Sequence, residues 1–205
     1  MQEPGPEDVI AATEAAYNTL VPVVDHDWSV KAGTLEWSCR QTLDHISSAL
    51  TFYYSSLAIA STERMRRPQI VSEELTVADL LFMLKANASI LARVVEASPS
   101  TTRGFHPAGM ADPSGFAAMG CDEILIHTAD IAAGLGVVFQ PTADLSARIV
   151  DRLFPWAPTD IDQWQTLLWA NGRTWLPYLG HQEDNWYWQC APLSEWDGTV
   201  NTRKS

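Results

Sequence analysis

The sequence predicts an all-α protein that carries extra helices toward its C-terminal end and finishes in a short Trp-rich extended segment. Three observations carry this reading. Apolar residues recur at helical spacing from Val9 to Trp169. Start signals open several of these stretches, among them the S-x-x-Q box Ser38-Cys39-Arg40-Gln41 and the pair Asp112-Pro113. Proline or glycine then closes them, as at Pro22, Pro99, Gly134 or Gly136, Pro155 and Gly172.

In chain order, a first helix runs roughly from Pro6 to Leu20, with Val9, Ala12, Ala16, Tyr17 and Leu20 on its apolar side. Residues 23–37 are irregular and read as a loop across the end of the helices, with His26 solvated between Asp25 and Asp27. A second helix begins at the Ser38 box and reaches about Ser61. Ile46, Leu50, Tyr53 and Leu57 form one stripe. His45 lies about 80° or more from them, with Ala49, Phe52 and Ile59. That face is apolar too, so the helix is expected to be buried on both sides, with His45 pointing inward and needing a partner. A third helix starts at Thr76 and carries Leu80, Leu81, Leu84, Ala88, Leu91 and Val95 to Ser98-Pro99.

Residues 100–114 form a loop of small residues whose tip is expected near the start of the fourth helix. His106 in that loop is a candidate for substrate contact as well as for loop packing. The fourth helix, leading to Gly134-Leu135-Gly136, is the one around which the chain is organised. At about 100° per residue, Glu123 and His127 stand one turn apart on one face, with Asp130 about 20° off Glu123. Cys121 is about 200° away and cannot share that set. The residues alone leave two readings open: a carboxylate and an imidazole that hold a metal ion with ligands from another helix, or a hydrogen-bonded pair.

An extended connector, residues 137–141, leads to a fifth helix from Thr142 to Phe154 and a sixth from about Thr159 to Asn171. Trp186-Tyr187-Trp188-Gln189-Cys190 and Leu193-Ser194-Glu195-Trp196 read as short strands, a hairpin or a strap. Many of the nine tryptophans lie between Trp156 and Trp196, where they would pack the core, wall a pocket or join two copies in a homodimer.

The formal net charge of −12 argues against nucleic acid and anionic membrane as partners, and the short cluster Arg64-Met65-Arg66-Arg67 does not offset it. The first residues lack a basic region followed by an apolar one, and no uncharged apolar run is long enough to span a bilayer, so a cytoplasmic location is expected. Cys39, Cys121 and Cys190 are far apart and odd in number, as reduced structural thiols would be. Residues 1–172 read as one helical domain and 173–205 as a Trp-rich extension packed on it or on a partner subunit.

Leu35-Glu36-Trp37-Ser38 leading into a helix with Asp44-His45-Ile46, followed by Glu123-Ile124-Leu125-Ile126-His127-Thr128-Ala129-Asp130, resembles the DinB-like metalloprotein superfamily. The nearer likeness is to the N-terminal domain of actinobacterial mycothiol-dependent maleylpyruvate isomerases, over roughly residues 6–172. The resemblance implies an up-down-down-up four-helix bundle with one divalent metal, zinc first and nickel or iron as alternatives, held by His45, Glu123 and His127. It also implies a small-molecule thiol, mycothiol, as co-substrate, whose thiolate attacks a small electrophile in a transferase or isomerase reaction. Asp130 would orient a ligating histidine or take the thiol proton, and Arg173 would clamp a substrate carboxylate. The isomerases' C-terminal domain has no clear counterpart; residues 173–205 stand in its place. A metal-dependent hydrolase and a non-enzymatic binding protein are the other function classes left open.

Overall fold

Helix α1 (Pro6–Leu20) opens the chain, followed by α2 (Cys39–Ala58), α3 (Val77–Ala97) and α4 (Pro113–Leu135). The computed structural model describes residues 2–65, 75–182 and 186–200. Met1, Arg66 and Arg67 of the basic cluster, and residues 183–185 and 201–205 of the Trp-rich extension lie outside the described residues. Both α1 and α2 pack against α3 and α4, so the four long helices bury a common core. Shorter helices α5 (Ala143–Leu153) and α6 (Gln163–Ala170) pack on each other, and α5 also packs on α4. The protein is mainly helical, and among the described residues no helix is long and apolar enough to cross a membrane.

The caps explain where the site-bearing helices begin. Ser38 Oγ accepts from the Gln41 backbone N–H while Gln41 Oε1 accepts from the Ser38 N–H at 2.9 Å, a reciprocal box that fixes the phase of α2. Asp112 Oδ1 accepts from the Gly115 N–H at 2.9 Å at the start of α4. At the other end of α4, Gly136 has φ +71°, the left-handed closure that glycine makes without penalty. Almost the whole circumference of α4 is buried, so it is the central element, packed by α1, α2, α3 and α5.

Residues 24–38 form no helix or extended strand, yet they are ordered by hydrogen bonds: buried Trp28 donates Nε1–H to Val23 O at 3.0 Å, and Cys39 N–H donates to Val30 O at 2.8 Å. The loop rests on the last turns of α4 at Gly134, where a Cβ would lie 2.7 Å from Cys39 Sγ and on top of the Lys31 carbonyl. Gly134→Ala should therefore lower stability by about 1–3 kcal/mol, read as an earlier thermal unfolding midpoint by circular dichroism.

Several expectations are corrected. Helix α2 ends at Ala58, short of Ser61, and α6 starts at Gln163, because Asp162 rather than Thr159 caps it by accepting from Gln165 N–H at 2.9 Å. The loop of residues 100–114 contains a hairpin, β1 (Gly104–His106) paired antiparallel with β2 (Gly109–Ala111). The face of α2 bearing His45 is not buried throughout, since Ile59 is 67% exposed. Among the described residues the strands read at 186–190 and 193–196 do not form, Trp186 alone making a single bridge. A small hairpin instead joins β3 (Trp175–Leu176) to β4 (Gly180–His181), and Leu193–Glu195 is a single 3₁₀ turn. The reason is where the backbone of 186–190 finds partners: Gln189 N–H donates to Leu153 O at 2.9 Å, and the buried Arg152 guanidinium donates to the carbonyls of Gln189 and Cys190. This stretch is a strap laid on its own chain and bonded to the end of α5.

Candidate metal centre

Helices α2 and α4 pack side by side, and their phases bring His45 to Glu123 and His127. His45 Nε2 and His127 Nε2 each lie 3.3 Å from Glu123 Oε2, and one ligand atom from each residue falls within 4.8 Å of the others. Two ligands about 2.0–2.1 Å from one zinc ion at the tetrahedral angle stand about 3.4 Å apart, which the two imidazole–carboxylate distances of 3.3 Å match. His45 is 36% exposed at its side chain against 11% for Glu123, which leaves an open side at His45.

The three side chains are themselves held. Tyr53 donates its O–H to Glu123 Oε1 at 2.9 Å, leaving Oε2 for the imidazoles. His127 Nδ1 is 3.0 Å from Asp130 Oδ2, and a carboxylate there assigns the proton to Nδ1 and the lone pair to Nε2. Arg173 in turn grips both oxygens of Asp130, Nε–H to Oδ1 at 3.2 Å and Nη2–H to Oδ2 at 2.9 Å. Asp130→Asn should weaken metal affinity about 10–100-fold, measured by competition with a chelator of known affinity.

The electrostatics follow from this geometry without a metal. Burial pushes the Glu123 carboxyl up, but hydrogen bonds and charge from His127 and His45 outweigh it and hold the group well below the usual carboxylate range. Burial pulls His127 down, yet its bonds to Asp130 and Glu123 win and raise it to about 9. Burial also acts against Asp130, whose bonds to His127 and Arg173 keep it lowered. In the absence of a cation, the site therefore draws a proton onto an imidazole to balance its two carboxylates.

A cleft of about 280 Å³ opens beside His45, Glu123 and His127. Leu35 and Trp37 of the capping loop line it, as do Asn171 and Arg173 after α6 and Trp186 and Trp188 of the strap. Trp37 lies against the His45 ring, centroids 4.8 Å apart. Asp122, completely buried beneath Trp188, accepts from Asn171 Nδ2–H at 2.8 Å and from Trp188 Nε1–H at 3.1 Å. Burial raises its carboxyl to about 7.

His106 sits elsewhere. It is buried against the rings of Phe52, Tyr53 and Trp188, outside the residues lining the cleft, and its Nδ1 accepts from the Ala108 N–H at 3.1 Å. Burial, opposed by the charge of Glu123, lowers it to about 4, so it is a neutral packing residue near the site. Arg173 does reach the cleft, but its guanidinium is first of all the anchor of Asp130. Sequence reasoning missed Tyr53, Trp37 and Asp122. Only Tyr53 left a signal: a phenol in an aliphatic stripe needs a partner for its O–H.

In comparisons with protein-family models, with curated proteins and with solved structures, the chain has no match.

Proposed function

We propose that the chain is a DinB-like, metal-dependent thiol transferase or isomerase, with α1 to α4 as an up-down-down-up bundle and His45, Glu123 and His127 holding one divalent ion, zinc first. The observation that supports this most is the convergence of two imidazoles and a carboxylate from two helices on one point, with an open side on a cleft. A set of two histidines and one glutamate that leaves positions free is that of catalytic rather than structural zinc. An ion so bound lowers the pKa of a thiol or water in a free position toward neutrality.

The protein's own groups would do the rest. Asp130 and Arg173 keep the Nε2 lone pair of His127 aimed at the ion; Tyr53 does the same for one oxygen of Glu123. Arg173 uses three of its N–H groups on Asp130 and the Asn171 carbonyl, leaving others for an oxygen of the substrate. With mycothiol as the thiol, the sulfur lone pair would add to the electrophilic carbon as that carbon's π bond breaks, its pair moving onto a conjugated carbonyl oxygen, or as its bond to a leaving group breaks, the group departing with the pair. Elimination of the same thiol after bond rotation gives isomerisation; loss of another group gives transfer. The cysteines of this chain are all buried and unpaired with one another, so none competes as the nucleophile.

The test is metal analysis of protein purified without chelator or affinity-tag metal, for wild type, His45→Ala and His127→Ala, followed by turnover of a generic electrophile with and without mycothiol. One equivalent of metal lost in both variants, with thiol-dependent turnover, supports the reading. Hydrolysis independent of thiol would make it a hydrolase, and metal without turnover a binding protein.

A further inference from the structure

We infer that the cleft is a slot for a flat aromatic group, so that the electrophile is an aromatic or aryl-substituted compound rather than an aliphatic or sugar-like one. The inference rests on the metal-centre reading above, because the ion fixes one end of the ligand. The rest comes from the walls. Trp37 arrives from the capping loop and lies over His45; Trp186 and Trp188 arrive from the strap, their rings 6.2 Å apart and inclined at 65°. Leu35 and Ile126 add aliphatic lining.

The two rings of the strap are held in place before anything binds, while Trp37 is 45% exposed and rests on His45. Trp188 is tied to Asp122 by its N–H and lies 5.5 Å from His106, and Trp186 is 5.2 Å from Phe154, edge to face. Rings fixed in advance lose little freedom on binding, and a second π-system can pack against them by face or by edge. The two buried carboxylates of the wall are already engaged, and Arg173 keeps only two N–H groups beyond its bonds to Asp130 and the Asn171 carbonyl. Asp122 accepts from Asn171 and Trp188, and Asp130 accepts from His127 and Arg173. A sugar stacked on these indoles would lack partners for most of its hydroxyls, whereas an aromatic ring needs none. At about 280 Å³ the cleft accepts a ring with its reactive group, so the body of a large thiol must remain outside.

The experiment uses hydroxamates, which share one metal-binding head. Benzohydroxamate, cyclohexanecarbohydroxamate and acetohydroxamate are titrated calorimetrically into the zinc-loaded full chain, with metal content measured in parallel. Benzohydroxamate is expected to bind at least tenfold more tightly than acetohydroxamate and at least fivefold more tightly than the puckered cyclohexane analogue. Both ratios should fall below threefold in Trp37→Ala and in Trp188→Leu at unchanged zinc stoichiometry. Equal affinities in the wild type, or no binding at all with one zinc present, would overturn the slot and leave the metal centre standing. Ratios that survive in the folded variants would overturn the assignment of these walls. Failure of the wild type to hold zinc would overturn the metal reading, and the slot with it.

Discussion

Glu123→Gln is expected to lose bound metal almost completely while the chain still folds. Under the proposed metal reading the carboxylate is the one anionic ligand; it is also the point on which both Nε2 atoms converge and the acceptor of the Tyr53 hydroxyl. An amide keeps the shape but not the charge, so affinity should fall by more than the 10–100-fold that follows loss of an outer hydrogen bond. The pH dependence supplies a second readout. His127 stands at about 9 in the folded, metal-free protein, above its ordinary 6.5. Its stabilising contribution is thus complete below 6.5 and is lost as pH rises through about 9; a shift of that size is worth about 3 kcal/mol. Glu123 is shifted down, so its contribution is present above the ordinary carboxylate range and lost as pH falls through the lowered value. Metal-free protein should hold a level urea midpoint between about pH 5 and 6.5 and decline toward 9, and Glu123→Gln should flatten that decline. Metal must displace the His127 proton, so apparent zinc affinity should drop about tenfold per pH unit below 9. A pH-independent affinity would show that His127 is not a ligand.

Arg152→Ala should be the most destabilising single change in the molecule. Arg152 is wholly buried where α4, α5 and the strap meet: it pairs with Asp112, donates Nη1–H to Gln189 O at 2.7 Å and Nη2–H to Cys190 O at 3.1 Å. Removing it strands a buried carboxylate and two carbonyls, a loss of about 3–5 kcal/mol. For a chain of this size that is roughly 10 °C in the thermal midpoint. Because Asp112 also caps α4, and the strap carries Trp186 and Trp188, the variant should expose the strap to protease sooner than α1 to α4. Cleavage appearing first within α2 or α4 would contradict this order.

The helices were legible because their apolar spacing and caps are local: Ser38 with Gln41 and Asp112 with Gly115 act within a single turn. Glu123, His127 and Asp130 were legible as a set for the same reason, being one face of one helix. His45 joined them by resemblance and by an inward orientation inferred from its apolar neighbours, although Ile59 on that face is exposed. What escaped depends on partners far along the chain. Tyr53 meets Glu123 from 70 positions away, and Trp188 meets Asp122 from 66. No periodicity encodes such pairs. The strap misled for a related reason: alternating aromatic residues suit a strand, but a buried guanidinium outbid any neighbouring strand for its carbonyls.

The strap also separates two events in time. All three convergent side chains lie no later than His127, within helices that contact one another directly, whereas Trp186 and Trp188 are among the last described residues of the chain. During synthesis from the N-terminus the His45–Glu123–His127 cluster can assemble beside Trp37 before the strap, with Trp186 and Trp188, has left the ribosome. A nascent chain would then pass through a stage at which the cluster is open to small ions and to bulky competitors alike. Docking of the strap on Leu153 and Arg152 marks the moment at which access narrows to what the finished cleft admits.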